Sequence, residues 1–316
     1  MGGVQEDVLR VGKHAIIPPI FDWAFIAMTK RTLIDTHCHL DAAEFSADRD
    51  AVYQRALAAG LKTLVIPAVT RANFADVEAV CQRYSSCLPA WGMHPIYIDI
   101  HQESHLTDLR AQIEAWRPVA IGEIGLDLFV PGLDFATQEY FYIEQLKIAR
   151  DFDLPVLLHC RRANDQILKQ LRRFKIDKGI AHAFSGSRQQ ADAYLKLGFK
   201  LGFGGAFTWT RASNLRALAK DLPLDAIVLE TDSPDMPPAW IGAPGEAGKP
   251  GKTGRNEPAE VARIAECLAE LRGDSVDQVI RQTSANAQAI LNFSAPDAAK
   301  TVFPAPRESR PASDGA

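Results

Sequence analysis

No run in this sequence is both long enough and apolar enough to cross a bilayer. The best candidate, residues 15–28, is too short and is broken by Pro18, Pro19 and Asp22. No small-residue cleavage site follows it, and Lys30 and Arg31 lead straight into a strand pattern. Residues 1–30 therefore read as a dispensable extension with Met28 as the expected native start, and neither secretion nor membrane attachment is expected. Cysteine is sparse. The five cysteines (Cys38, Cys81, Cys87, Cys160 and Cys267) are odd in number and form no C-x-x-C pair. That excludes a disulfide framework and points to a reducing, cytoplasmic setting. Surplus positive charge is missing too, with 35 Lys and Arg against 39 Asp and Glu, a net charge of -4. A broad cationic face for long duplex DNA is thus excluded, since such binding rests on many phosphate contacts from Lys and Arg. A nucleic-acid enzyme of this charge would need metal ions to hold phosphate.

What is present is the material of a large core: 316 residues, 47% of them hydrophobic and 23% charged. Short, almost continuously apolar runs at residues 32–35, 62–67, 89–92, 119–123, 155–159, 179–182, 199–203 and 226–230 predict parallel strands buried on both faces. Amphipathic segments lie between them. Tyr142, Leu146 and Ala149 share one helical face, as do Ala191, Tyr194 and Leu195. Ser187 with Gln190, and Ser275 with Gln278, have the spacing of capping boxes. Eight βα units of this length predict an α/β fold, a (β/α)8 TIM-type barrel, over residues 31–293. A doubly wound open sheet is the competing architecture. Residues 237–254, rich in Gly, Pro and Lys, read as a long loop, and residues 294–316, rich in Pro, Ala and Ser, as a disordered tail.

The chemistry lies where His, Glu and Asp meet the strand ends. His37 and His39 close the first run as an H-x-H pair, Glu123 ends the fourth, His159 the fifth and His182 the sixth, and Asp232 follows the eighth. In a barrel these ends converge on one mouth. A lone strand-end His is more often a hydrogen-bonded structural residue, but six convergent polar groups without a metal would leave costly unsatisfied atoms. Six N/O donors exceed one open zinc site and suit two divalent ions sharing a bridging carboxylate. Glu123 is the expected bridge, with His37, His39 and Asp232 on one ion and His159 and His182 on the other. Donors without sulfur admit Zn²⁺, Mn²⁺, Ni²⁺ or Fe²⁺; Mg²⁺, which favours all-oxygen sites, is the less natural choice.

The motifs Asp35-Thr-His-Cys-His-Leu-Asp41, Gly92-Met-His-Pro95, Gly122-Glu-Ile-Gly-Leu-Asp127, His182-Ala-Phe-Ser-Gly186, Glu230-Thr-Asp-Ser-Pro234 and Arg255-Asn-Glu-Pro258 span most of residues 32–293. In order and spacing they resemble the TatD family. Leu128-Phe129 and Pro234-Asp235-Met236 are similar to its YjjV-type branch and depart from the aromatic residue usual after these Asp positions elsewhere. The resemblance implies an amidohydrolase-like barrel and a metal-dependent nuclease acting from 3′ ends on DNA, sometimes RNA, with two divalent ions (Mg²⁺, Mn²⁺ or Zn²⁺). Attack of an activated water on phosphorus is the expected step. Asp232 is the candidate to orient that water and accept its proton, beside Glu123, and His94 to contact phosphate or protonate the leaving oxygen. Arg161, Ser185 and Arg255 are candidate substrate contacts, and Arg162 shares the first role. Asn256 and Glu257 are expected to order their loop or cap a helix, and His14, His101 and His105 to lie on the surface. The basic run Lys169, Arg172, Arg173, Lys175 and Lys178 reads as a solvated face or a guide toward the mouth. The expected substrate is a single-stranded or end-bound nucleic acid, and the expected form a monomer. The rival reading is an amidohydrolase-type deacylase, for example on aminoacyl-tRNA. That group often bridges its metals with a carbamylated lysine on the fourth strand, where this chain has Glu123.

Overall fold

A computed structural model describes residues 32–241 and 254–293. The N-terminal extension, the proposed Met28 start, the tail at 294–316 and most of the loop at 237–254 lie outside the described residues. All eight expected strands form. They are β1 (Leu33–Asp35), β2 (Leu61–Pro67), β3 (Cys87–Trp91), β4 (Ala120–Asp127), β5 (Val156–Arg161), β6 (Gly179–Ala181), β7 (Lys200–Phe203) and β8 (Ile227–Leu229). Each pairs in parallel with its sequence neighbour, in the order β1 to β8. The amide of Thr36 donates to the carbonyl of Leu229 at 3.0 Å and that of Asp232 to His37 at 2.8 Å, so β8 returns to β1. The result is a nearly closed TIM barrel; sequential order and this closure exclude the open sheet.

Period-two alternation explains how the barrel is filled. Ile34, Val65, Ala90, Ala120, Leu157, Ile180 and Val228 form one cluster at the base of the barrel. Ala287 and Leu291 of a C-terminal helix (Val276–Leu291) complete that plug. Two or four residues further along the same face come His94 after β3, His159 on β5, His182 after β6, and Glu230 and Asp232 after β8. Apolar below, polar above: the alternation that packs the plug also aims the donors at the mouth. The larger cluster, which includes Trp91, Tyr142, Tyr194 and Phe199, fills the space between barrel and helices.

Two local expectations need correcting. Glu123 does not end β4; the strand continues to Asp127 because Ile124–Asp127 pair with Leu158–Arg161 after a register shift between Ile121 and Ile124. That shift re-aims one side chain, as a bulge does, and brings Glu123 inward. His37 and His39 also lie beyond the end of β1, held by bonds from Cys38 N to Val65 O and from His39 N to Ser233 O. The helices follow the sequence more closely. Ser187 and Gln190 make the reciprocal capping box of the helix Arg188–Lys196, whereas Ser275 only accepts from the Gln278 amide. The basic run falls largely at the C-terminal end of the helix Asn164–Phe174. A barrel helix runs antiparallel to its strand, so that end faces away from the mouth, and the charges complement the helix dipole there instead.

Candidate metal centre and its cavity

Glu123 is buried at the centre of the mouth, and its two oxygens face different partners. Oε2 lies 3.0 Å from His37 Nε2 and 3.8 Å from His39 Nε2. Oε1 lies 3.1 Å from His94 Nε2 and 3.0 Å from His159 Nδ1. Asp232 Oδ1 stands 3.8 Å from His37 and 3.6 Å from His39, and Oδ2 stands 3.6 Å from His182 Nε2. The rings of His37 and His182 stack at 3.5 Å between centroids. Three overlapping sets therefore converge, each with its ligand atoms within 4.8 Å of one another: His37, His39 and Glu123; His37, His182 and Asp232; His94, Glu123 and His159. The sequence grouping placed His182 with His159; the fold places it beside His37 and Asp232.

Protonation differs from ring to ring across the site. Burial, reinforced by the nearby His182, pushes the His37 imidazole below its ordinary value, which keeps the ring neutral. Burial alone would raise the Glu123 carboxyl, but the neighbouring His94 and His37 outweigh it and hold it well below the usual range. Asp232 is likewise lowered, with His182 overcoming desolvation. Its backbone is left-handed, at φ 56. Asp is among the few side-chain-bearing residues that tolerate this conformation, and such strain gathers at functional sites. Against burial, Asp127 and Glu123 raise His159, and Glu230 and Asp232 raise His182 well above the ordinary imidazole value, so a bound ion would displace protons from these two rings. Imidazole nitrogens and ionised carboxylates are the donor set that divalent ions such as Zn²⁺ or Mn²⁺ take, so the residues present fit such a group.

His94 differs from the other imidazoles. Its Nδ1 accepts from the Ile96 amide at 3.1 Å, so the proton of the neutral ring sits on Nε2, facing Glu123. Burial lowers its value to about 4. It is a neutral donor to Glu123 rather than a lone pair. His101, expected on the surface, is half-buried, and its Nε2 lies 2.9 Å from the His94 carbonyl.

Several residues at the site were missed by sequence reasoning. Asp127 Oδ2 lies 3.0 Å from His159 Nε2, while its Oδ1 accepts from the amides of Phe129 and Val130. Burial would raise Asp127, but His159 and these amides hold it below the ordinary range. Glu230 Oε2 lies 3.1 Å from His182 Nδ1, and a Cβ at Gly202 would sit 2.2 Å from that carboxylate, so only glycine leaves it room. Asp35 accepts from Thr231 Oγ1 at 2.6 Å and from the amides of Thr231 and His37; burial pushes its carboxyl up to about 8 against those bonds. A carboxylate two residues before a strand-end His, or on the far side of one, is the signal that could have found this outer layer.

The mouth opens into a cavity of about 920 Å³. Arg161, Arg162 and Ser185 line it, as does Phe129. Arg255 does not. Its guanidinium pairs with both oxygens of Asp48 and donates to the Glu44 carbonyl, over the ring of Phe45 at 4.7 Å. Asn256 is buried and ties the segment after β8 through bonds to Thr231 O and Asp235 O, each 2.8 Å, as the loop-ordering expectation had it. Cys38 is buried and packs away from the mouth, as expected; Cys160, also expected to be a packing residue, is half-buried, contacts Asn164 and Tyr194, and lines the edge of the cavity.

The family described as TatD related DNase matches residues 34–292. This chain belongs to the TatD family. It is 42% identical over 263 residues to the metal-dependent hydrolase YjjV of Escherichia coli K12, covering 82% of this chain and 95% of that protein. The crystal structure of YjjV superposes with a TM-score of 0.76 at 39% identity, over 84% of this chain and all of that one (100%). The 3′-5′ ssDNA/RNA exonuclease TatD of Erwinia amylovora is 30% identical over 268 residues, covering 83% of this chain and 100% of that protein. An amidohydrolase from Saccharomyces cerevisiae shares the barrel alone, at 19% identity with a TM-score of 0.69 over 82% of this chain and 99% of that one. Membership in the TatD family accounts for the order in which the six motifs occur. Among the described residues, no helix is long and apolar enough to cross a membrane.

Proposed function

We propose that this chain is a metal-dependent phosphodiesterase that trims single-stranded DNA, and RNA as a second substrate, from 3′ ends. The observation that carries the proposal is Glu123, whose two oxygens face two different imidazole sets, as a carboxylate shared by two divalent ions must. His37, His39, His182 and Asp232 would hold one ion. His159, freed at Nδ1 by Asp127 on its other nitrogen, would hold the second together with Glu123. Bound divalent ions supply Lewis acidity toward a phosphoryl oxygen and activate water near neutral pH. Asp232, half-buried at the cavity floor, orients the attacking water and takes its proton. His94, a neutral ring with its proton on Nε2, donates to Glu123 and keeps it ionised, so it is no general acid and the leaving oxygen takes its proton from solvent.

Charge is distributed unevenly around the mouth. Arg161 ends β5 and Arg162 follows it, while Asp41, Glu44 and Asp235, which also line the cavity, follow β1 and β8. In an eight-stranded barrel β1 stands opposite β5, with β8 next to β1 on that far side. A phosphate chain can approach over the arginines but not continue across the acidic rim, which favours a bound end over an internal site. Ser185 can donate to the held phosphate. Arg255 is left out of substrate contact because Asp48 engages it. The names of the relatives, a metal-dependent hydrolase and a 3′-5′ ssDNA/RNA exonuclease, agree with this reading.

The test is hydrolysis of a 5′-labelled single-stranded oligonucleotide with Mg²⁺, Mn²⁺ or Zn²⁺ and with chelator. Stepwise shortening from the 3′ end, absent in Glu123→Ala and Asp232→Asn, is the expected result. A metal-loaded wild type that cleaves no oligonucleotide would overturn the nuclease assignment, and ester hydrolysis of aminoacyl-tRNA would be assayed next.

A further inference from the structure

The loop after β4 carries an aromatic side chain that the chemistry above does not use. Phe129 is 44% exposed at the cavity lip, although the guanidinium carbons of Arg161 and Arg162 lie 3.7 and 4.6 Å from its ring centroid. A guanidinium over an aromatic ring is held favourably there without using its hydrogen-bond donors. Among the described residues neither arginine has a carboxylate within ion-pair distance, in contrast to Arg55, Arg255 and Arg272. Their charge is unspent. Neither is Phe129 a loose surface residue. Its amide and that of Val130 donate to Asp127 Oδ1, and the Leu128 amide donates to the Arg161 carbonyl at 2.9 Å. Since Asp127 also holds His159, the ring is registered against the metal centre by a chain of short bonds.

We propose that Phe129, with Arg161 and Arg162 stacked against it, is a platform for one nucleobase of the bound strand, the guanidiniums taking the phosphate beside that base. The inference rests on the nuclease reading and deepens it by naming the recognition element. An exposed ring beside free guanidiniums is the pairing by which proteins hold single strands without reading sequence, because every base presents a π face. A paired end keeps its bases stacked in the duplex and cannot offer one. The platform therefore selects single-stranded or frayed ends with little base preference.

The test uses full-length, Zn²⁺-loaded protein and two readouts. First, an oligonucleotide with 2-aminopurine near its 3′ end and non-hydrolysable terminal linkages reports stacking by fluorescence quenching. Quenching is expected with wild type and with Phe129→Trp, and its loss with Phe129→Ala, with roughly 5- to 150-fold weaker binding. Second, kcat/KM is compared on oligonucleotides with a normal or an abasic nucleotide at that position. Phe129→Ala should lose activity on the first and stay within about twofold of wild type on the second. An equal loss on both substrates would mean that the ring only props the arginines, and would overturn the proposal. So would unchanged quenching in Phe129→Ala. If wild type cleaves and Phe129→Ala is indistinguishable from it, the platform falls and the nuclease reading stands; if the probe binds and quenches but no strand is ever cleaved, the nuclease reading falls instead.

Discussion

Replacing Asp127 by asparagine changes almost no volume, yet it should disarm half of the metal centre. Oδ1 of Asp127 accepts from the Phe129 and Val130 amides at 2.8 and 2.9 Å, and these two donors force the asparagine to place its oxygen there. Its NH2 group then faces His159 Nε2, 3.0 Å from the present Oδ2. Only a lone pair on Nε2 can meet that NH2, so the ring's proton moves to Nδ1. Nδ1 is the nitrogen turned toward Glu123 Oε1 at 3.0 Å, and a protonated nitrogen is no ligand. Loss of such an outer-layer carboxylate weakens metal binding roughly 10- to 100-fold, which is about 1.4–2.7 kcal/mol. Only one of two ions should be affected. Competition with a chromogenic chelator should show one tight and one weakened step, with the fold intact by circular dichroism. Asp127→Ala would weaken the same step and also strand two amides, lowering stability by a further ~1–3 kcal/mol for each group left unsatisfied. If Asp127→Asn loads two ions with wild-type affinity, the tautomer argument is wrong.

Three further outcomes follow from the same geometry. Glu123→Ala should abolish loading of both ions and reduce turnover by at least about 100-fold, because the interaction removed acts on transition-state charge; a variant that still binds two ions would remove the bridging role. Gly202→Ala would place a Cβ 2.2 Å from the Glu230 carboxylate and should cost ~1–3 kcal/mol from overpacking, read as a lower Tm together with weakened metal binding on the His182 side. Arg255→Ala should leave KM for an oligonucleotide within about twofold while lowering Tm at neutral pH. The hydrogen bonds from Arg255 hold the Asp48 carboxyl below its ordinary value of 3.8. A depressed carboxylate contributes stability that is present above its unfolded pKa and lost as pH falls through the folded one. The Tm gap between wild type and Arg255→Ala should therefore be full at pH 7 and close below 3.8. A gap that persists in acid would assign the effect to packing on Phe45.

The linear sequence determined the barrel and most of the donors, because both depend on periodicity. A parallel strand buried on two faces is nearly all apolar, and a helix repeats near every fourth residue, so eight βα units could be read without a structure. His94, His159, His182 and Asp232 lie an even number of residues from Ala90, Leu157, Ile180 and Val228, and alternation alone sends them inward. Tertiary structure decided what alternation does not carry. The register shift at Ile121–Ile124 turned Glu123 inward in mid-strand, and nothing local announces it, since it arises from pairing with β5. The tautomer of His94 depends on the Ile96 amide, and the roles of Asp127 and Glu230 on distances across strands. Arg255 and Arg161 look alike as charged residues in polar motifs. One is neutralised by Asp48 and the other is left free at the cavity, because a charge is spent by whatever carboxylate the fold brings within a few ångströms, and only the folded chain sets that distance.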